Sequence, residues 1–262
     1  MNDKVVLPTI SVVTPSLNQG DFIEETILSV LDQNYPNLEY IVIDGGSKDK
    51  TIKILKKYHR KIKWKSSRDK GQADAINKGM RMATGEILCY LNSDDILLKD
   101  SLITVGKLFA TQPNIQWLAG RCSIIDHKSK EVRKAITCYK NLLLKTRSKK
   151  IFLITDFISQ PAVFWRRELV NIIGLFDATL HYVMDYDYWL RLWKISNPFF
   201  MDRNLAEFRI HTKSKTMTTA VSQNWGEEEK KVLKQHSNSK FYFFLHELHR
   251  NLISSIYQVI NS

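Results

Sequence analysis

The sequence predicts an α/β domain built on a doubly wound, mostly parallel sheet flanked by helices, followed by a C-terminal helical appendage. Three observations lead there. Residues 1–110 alternate short apolar runs with amphipathic stretches of about a dozen residues, the pattern of βαβ units. One run, Ile87–Leu91, is nearly all apolar, as a strand covered on both faces must be. No fixed-period repeat or low-complexity tract competes with that reading.

Taken in order, Thr9–Val13 reads as a first strand, rich in β-branched residues and closed by Thr14-Pro15-Ser16. Asp21 is placed to cap the next helix, with Glu24 as the other half of a capping box. Ile23, Ile27, Val30 and Leu31 give that helix one apolar face. Leu38–Ile43 is a second strand, ended by Asp44-Gly45-Gly46, and Ile52 and Leu55 mark a second helix. Ile62–Lys65 is a short third strand. Ala73, Ile76, Met80 and Ala83 line a third helix, stopped by Gly85. Ile87–Leu91 follows as the fourth strand. From Ile115 onward the strands shorten, aromatics multiply and the order is less legible.

Composition narrows the class. A chain of 262 residues with 44% hydrophobic content can bury a core, which excludes global disorder. No stretch approaches the roughly 20 apolar residues of a membrane-spanning helix, and Met1 to Ile10 lacks a signal peptide's apolar core. Cys89, Cys122 and Cys138 are widely spaced and form no C-x-x-C pair, which predicts neither disulfides nor zinc and suits a reducing cytoplasm. A net charge of +12 calls for an anionic partner such as nucleic acid, lipid headgroups or a phosphorylated substrate, or else marks a solvated basic surface. No zinc-finger or RNA-recognition signature is present, so no nucleic-acid partner is expected.

Each of the strongest strands runs into a polar cluster: Thr14-Pro15, then Asp44-Gly45-Gly46-Ser47, then Asn92-Ser93-Asp94-Asp95. Right-handed crossovers bring the carboxyl ends of such strands to one edge of the sheet, where open α/β sheets bind ligands. Singly, each cluster is ordinary turn chemistry. Neither G-x-G-x-x-G nor a Walker phosphate loop occurs. Asp94 and Asp95 end a buried strand, where adjacent carboxylates call for a cation. Mg²⁺ or Mn²⁺ fits, because these ions take one or two protein carboxylates plus substrate phosphates. Asp44 suits a ribose hydroxyl or a base edge.

Five segments carry a resemblance: V-V-T-P-S-L-N-Q-G (12–20), I-V-I-D-G-G-S-K-D-K-T (41–51), D-K-G-Q-A-D-A-I-N-K-G (69–79), A-T-G-E-I-L-C-Y-L-N-S-D-D (83–95) and M-D-Y-D-Y-W-L-R-L (184–192). Together, in this order and spacing, they resemble a bacterial family 2 glycosyltransferase across residues 5 to about 216. The resemblance implies a Rossmann-like GT-A fold and an inverting, metal-dependent transfer from a nucleoside-diphosphate sugar, with UDP as the expected nucleotide. It implies a GT-A domain over 1–220, with a nucleotide-binding half at about 1–112 and an acceptor half at about 113–220, and a helical extension over 221–262.

By the same resemblance, Thr14 and Pro15 shape the nucleoside pocket, Asp44 binds uracil or ribose, and Arg68, Asp69 and Gly71 lie beside the nucleotide. Asn92-Ser93-Asp94 occupies the D-x-D position, with Asp94 reaching the metal and Asp95 beside it. His211, in Arg209-x-His211-x-x-Ser214-Lys215-Thr216, resembles the histidine that completes the metal–diphosphate site. Gln160-Pro161 resembles an acceptor-side motif, and Asp185 aligns with the catalytic base. Two positions depart from the pattern: Asn92 replaces the first acidic residue and Met184 the acid usually preceding the base.

Reaction chemistry supports Asp185 separately. Inversion needs one carboxylate to deprotonate the acceptor hydroxyl and a separate cationic cluster for the leaving diphosphate. Asp185 and Asp187 stand at i and i+2, so on a helix only one readily faces a crevice. The segment also reads as an ordinary acidic helix start.

Finally, Phe241, Phe244, Leu245, Leu248, Leu252, Ile253 and Ile256 recur at helical spacing among Lys240, His246, His249 and Arg250. This amphipathic helix would pack on the domain, pair with a second copy in a homo-oligomer, or meet an anionic membrane surface on the inner face. A glycan or lipid-linked acceptor is the implied partner, in cell-surface polysaccharide or glycolipid synthesis. The departures at Asn92 and Met184 leave an inactive GT-A subunit of a glycan assembly complex as the alternative.

Overall fold

An eight-stranded sheet, in the order β3-β2-β1-β4-β7-β6-β8-β5, forms the centre of the molecule. In this computed structural model the description covers residues 5–212, 214 and 221–261, apart from the side chains of 221–224 and 254–261. Ile256, Lys213, Lys215 and Thr216, singled out in the sequence or lying in its motifs, fall outside the described side chains.

Strands β1 (Ile10–Ser16), β2 (Leu38–Asp44), β3 (Lys63–Ser66) and β4 (Ile87–Tyr90) are mutually parallel. Strand β7 (Val163–Arg166) runs antiparallel between β4 and β6 (Trp117–Ile125). Strand β8 (Phe199–Arg209) is parallel to β6, and the short β5 (Ile96–Leu97) is antiparallel to β8. Six strands therefore point one way and two are reversed, a mostly parallel sheet as expected.

Every residue of β1 is buried, its three polar side chains, Ser11, Thr14 and Ser16, included. Successive side chains divide between two cores. Val13, Ile41, Ile43 and Trp165 join the layer containing α3 (Gln72–Met82) and α8 (Met184–Ile195). Val12, Tyr40, Val42 and Phe164 join the layer of α1 (Ile23–Leu31) and α4 (Ser101–Thr111). That is the period of two that a strand imposes. Helix α3 lies close on the sheet because Gly79 has no side chain: a Cβ there would stand 2.3 Å from Val13 Cγ1.

Register places the site. Ser16 pairs with Asp44, and Asp44 with Ser66, so three strands end side by side. Ile125 pairs with Arg209 at the matching edge of β6 and β8.

The helix starts correct one expectation. Asp21 and Glu24 do not form a capping box. Helix α1 has Phe22 at its N-cap, with no side-chain cap, because the Phe22 and Ile23 amides both donate to the Gln19 carbonyl and satisfy the turn from the backbone. Asp21 pairs instead with Lys50 at 2.9 Å and Glu24 with Lys57 at 2.6 Å, both across to the loop and helix α2 (Thr51–Lys57). Helix α3 likewise ends at Met82, before Gly85, with Ala83 already extended.

After β6 come α5 (Lys134–Thr146), α6 (Lys149–Ile154) and a 3-10 turn (Gln160–Ala162), then α7 (Leu169–Ile173) beyond β7. The chain closes with α9 (Val221–His236) and α10 (Lys240–Asn261). These last helices pack on the domain: Val232 and Leu233 are fully buried, Tyr242 and Phe243 are half-buried against the same core, and α10 lies along α6.

Candidate active site

The carboxyl-end edge of the sheet holds the polar clusters. The β1–α1 and β2–α2 loops are tied to each other: the Asn18 amide donates to Ser47 Oγ at 2.7 Å, Lys48 to Asn18 Oδ1 at 2.9 Å, and Gly20 to Asp49 at 2.8 Å. Asp44 is fully buried at the head of the second loop. Its carboxylate accepts from the Gly46 and Ser47 amides at 3.0 and 2.9 Å, from Ser66 Oγ at 2.6 Å, and from Ser47 Oγ. Two of those four donors are hydroxyls that rotate. Beside it, Ser16 Oγ is buried without a hydrogen-bond partner among the described residues. Thr14 is fully buried, its hydroxyl 3.1 Å from Tyr40 Oη, and Pro15 is buried next to it in β1.

The next segment closes on this pair. Gly45 has no room for a side chain: a Cβ would stand 2.6 Å from Asp69 Oδ2. Asp69 accepts from the Gly71 amide at 2.9 Å, and Gly71 enters α3 at φ 115°, a left-sided conformation natural to glycine. Arg68 is exposed at the rim. Gln72, the first residue of α3, donates to Asn92 Oδ1 at 2.6 Å. The nucleotide residues of the resemblance thus run in one row from Asp44 to Asn92.

Asn92 is fully employed. Its Nδ2 donates to Gln160 Oε1 at 3.0 Å and to Asp95 Oδ2 at 3.1 Å, while Gln160 Nε2 donates to the Tyr90 carbonyl at 2.6 Å. Ser93 is buried in the same turn. Asp94 and Asp95 then diverge. Asp95 is wholly inaccessible and accepts from the Arg209 amide at 2.9 Å, so it braces the turn against β8. Burial, and next the Asp94 charge, push its carboxyl well above the usual range, against the Arg209 amide and Asn92. Asp94 keeps 16% of its side chain exposed and meets His211 Nε2 at 3.0 Å, with the His211 ring 4.5 Å from Phe22.

Arg209 organises this end. Only 1% exposed, it donates from Nε to the Asp94 carbonyl at 2.8 Å, from Nη1 to the Asp126 carbonyl and Ser129 Oγ, and from Nη2 to Glu25 at 2.6 Å. A buried guanidinium with this many partners fixes the loop that carries Asp94.

Asp94 and His211 fit a Mg²⁺ or Mn²⁺ ion that takes its other ligands from water and diphosphate. Among the described residues no three His, Cys, Asp or Glu converge into a ready-made cage. Asp95, having no accessible surface, supports the pair from behind.

Asp185 stands in the first turn of α8, half-buried, its Oδ1 accepting from the Tyr186 amide at 2.9 Å. Asp187 faces the other way, 5% exposed, bonded to Arg191 Nε and His236 Nε2 at 2.9 Å each. Only one of the two acids is directed away from the packing, as their spacing requires. Electrostatics link this end to the Asp94 turn: Tyr90, buried at the end of β4, has its phenol pushed well up by burial and then by the charges of Asp185, Asp95 and Asp156.

Asp156 is an acid that sequence reasoning missed. Burial pushes its carboxyl up to about 7; Lys140 opposes this, Asp185 adds to it and the Ile158 amide opposes it again. Its position in a loop after α6 carries no motif, and its setting is created by elements distant in sequence.

The family model for Glycosyl transferase family 2 matches residues 11–173. The chain belongs to glycosyl transferase family 2. The matched span contains every residue of the nucleotide row and the Asn92-Ser93-Asp94 turn. An uncharacterized glycosyltransferase of Rickettsia prowazekii is 29% identical over 85% of this chain and 70% of its own length. TuaG of Bacillus subtilis, a glycosyltransferase named for teichuronic acid biosynthesis, is 42% identical over 36% of this chain and 39% of its own. Among solved structures, TarS 1-349 of S. aureus in complex with UDP-GlcNAc superposes with a TM-score of 0.67 at 18% identity, over 92% of this chain and 69% of that one. The mannosyltransferase PcManGT of Pyrobaculum calidifontis, with GDP-Man and Mn²⁺, gives 0.68 at 18% identity, over 94% and 69%. This chain spans 44% of the longer TarS chain. The family 2 chain thus has the GT-A fold of these neighbours, a mostly parallel sheet flanked by helices with helices at the C-terminal end.

Proposed function

We propose that the protein transfers a sugar from a nucleoside-diphosphate sugar to an acceptor hydroxyl with inversion, in the synthesis of a cell-surface glycan. The observation that carries the reading is the separation of two acidic groups: Asp94, in the turn after β4, is paired with His211, whereas Asp185, at the start of α8, stands near enough to the end of β4 for its charge to act on Tyr90. Inverting transfer needs that division of labour. The similarity to TuaG and to two nucleotide-sugar complexes supports the substrate class.

In this reading the β1 and β2 loops hold the nucleoside. Ser16 Oγ supplies a hydroxyl that has no partner among the described residues, and Asp44 exchanges the Ser47 or Ser66 hydroxyl for a ribose hydroxyl or base edge. UDP is the expected nucleotide. Arg68 and Asp69 border it at the rim. Asp94 and His211 hold a Mn²⁺ or Mg²⁺ ion, which when bound neutralises the diphosphate and its departing charge. Asn92 acts as a brace rather than a ligand, since its amide is committed to Gln72, Gln160 and Asp95.

Asp185 removes the acceptor proton as the hydroxyl oxygen attacks the anomeric carbon. Its place in the first turn of α8 supports that role, with Asp187, Arg191 and His236 fixing the helix behind it. A screen of UDP- and GDP-sugars for donor hydrolysis with Mn²⁺ tests this reading. Turnover of at least one donor is expected, with weaker turnover when the ion is chelated. No hydrolysis and no nucleotide binding across the panel would remove the proposal.

A further inference from the structure

Helix α10 presents two faces. One carries Tyr242, Phe243 and buried His246 onto the domain, where His246 Nε2 lies 3.3 Å from Glu229. The other carries Phe241, Phe244, Leu248 and Leu252, which remain 64%, 63%, 56% and 59% exposed. At i, i+3, i+7 and i+11 these four fall within an arc of about 80° on a helix of 3.6 residues per turn. They form a continuous apolar stripe on a helix already anchored from behind. A run of large side chains left uncovered at this density marks a contact surface.

The surroundings say what covers it. Tyr139 of α5 meets His249 of α10 at 2.7 Å, and α6 lies along α10, so α5 and α6 flank the helix. The segment from 128 to 150, which forms them, carries nine Lys or Arg and a single acid, Glu131. Lys145 and Lys150 are exposed, as is Leu142 of α5 at 62%. At the other end, the α9–α10 elbow opens a hollow lined by Lys234, Ser237, Asn238, Lys240 and Phe243. A second copy docked on this stripe would bring two such cationic segments together and repel. A polyanionic surface with an apolar interior beneath it satisfies both features at once.

We propose that α10, with the flanking α5–α6 segment, docks the protein on an anionic lipid bilayer, the four exposed apolar side chains entering the acyl boundary and the neighbouring lysines meeting the headgroups. Helix α10 does not cross the bilayer, since no described helix is long and apolar enough to do so. It lies in the plane of the surface. The docking segment adjoins the acidic end of the molecule, since Asp156 follows α6 and Lys140 of α5 acts on it electrostatically.

Co-sedimentation with phosphatidylcholine vesicles, with and without phosphatidylglycerol, tests this. The full chain is expected to sediment with the anionic vesicles only, and about tenfold less on raising salt from about 0.1 to about 0.5 M, as screening requires. The double substitution Phe244→Ser, Leu248→Ser is expected to lower the partition coefficient about tenfold or more. Lys145→Glu, Lys150→Glu is expected to lower it comparably. All four positions are solvent-exposed or nearly so, and unchanged melting temperatures establish that the variants fold. Failure of the native chain to bind anionic vesicles at physiological ionic strength overturns the proposal. So does a dimer by light scattering that the Phe244→Ser, Leu248→Ser chain loses, because a second copy would then cover the stripe. These measurements read no turnover, so either result leaves the glycosyl-transfer reading untouched.

Discussion

Asp187 Oδ1 and His236 Nε2 meet at 2.9 Å, both side chains almost entirely buried, and join the helix bearing Asp185 to the C-terminal helix α9. Asp187 Oδ2 holds Arg191 at the same distance, and Arg191 Nη1 continues to the Ile173 and Leu175 carbonyls. The second acid of the Asp185-Tyr186-Asp187 run is thus a structural centre. Asp187→Ala leaves a buried imidazole and a partly exposed guanidinium without their carboxylate and is expected to cost about 2–4 kcal/mol. Urea unfolding measures it; Asp187→Asn should lose less.

Glu228 of α9 makes a second tie. Its carboxylate accepts from the His181 amide at 3.0 Å and the Tyr182 amide at 2.8 Å, in the segment leading into α8. Removing it frees the approach to Asp185 without touching the nucleotide loops. Glu228→Ala is expected to lower kcat several-fold with the donor KM nearly unchanged, and Glu228→Gln, which keeps one acceptor, to recover part of it. Steady-state kinetics at saturating acceptor separates the two.

Asn92 stands where the family usually has an acid, and the network explains why restoring it should not help. Asn92→Asp replaces two donations, to Gln160 and Asp95, with a carboxylate facing Asp95. A loss of roughly 2–4 kcal/mol in stability and no gain in turnover are expected. Thermal unfolding and donor hydrolysis, run together, test this.

Asp156 predicts a pH signature. Its folded-state value, about 7, lies above the ordinary carboxylate value of 3.8. The stability linked to this group is therefore fully present below about pH 4 and is lost as pH rises through 7. Asp156→Asn removes the titration, so its stability should fall less than the native chain's between pH 5 and pH 8, by on the order of 1–3 kcal/mol. Denaturant titrations of both proteins at several pH values show it.

How much of this was legible in the sequence follows from where the information lies. Strands β1, β2 and β4 announce themselves because strands buried on both faces are dominated by β-branched and apolar residues, and the polar clusters after them mark the edge of the sheet. The helix α1 cap was misread because Asp21 matches a local rule that backbone turns had already satisfied from Gln19. The reversal of β7 between β4 and β6 has no local signature, since pairing partners more than 40 residues apart set it. Asp94 and His211 could be named from motifs, but the divergence of Asp95 from Asp94 depends on Arg209, 114 residues away. Asp156 and Ser16 were missed for the same reason: burial, and not residue type, makes them notable.

Separate duties for Asp94 and Asp185 are the centre of the proposed mechanism. Calorimetric titration of UDP with Mn²⁺ into the native chain, Asp94→Ala and Asp185→Asn, each assayed in parallel for sugar transfer, tests this most directly. Asp94→Ala should lose the ion-dependent part of nucleotide binding together with transfer; Asp185→Asn should bind as the native chain does and transfer at least about a thousandfold more slowly. Native-like binding by Asp94→Ala, or sustained transfer by Asp185→Asn, would contradict it.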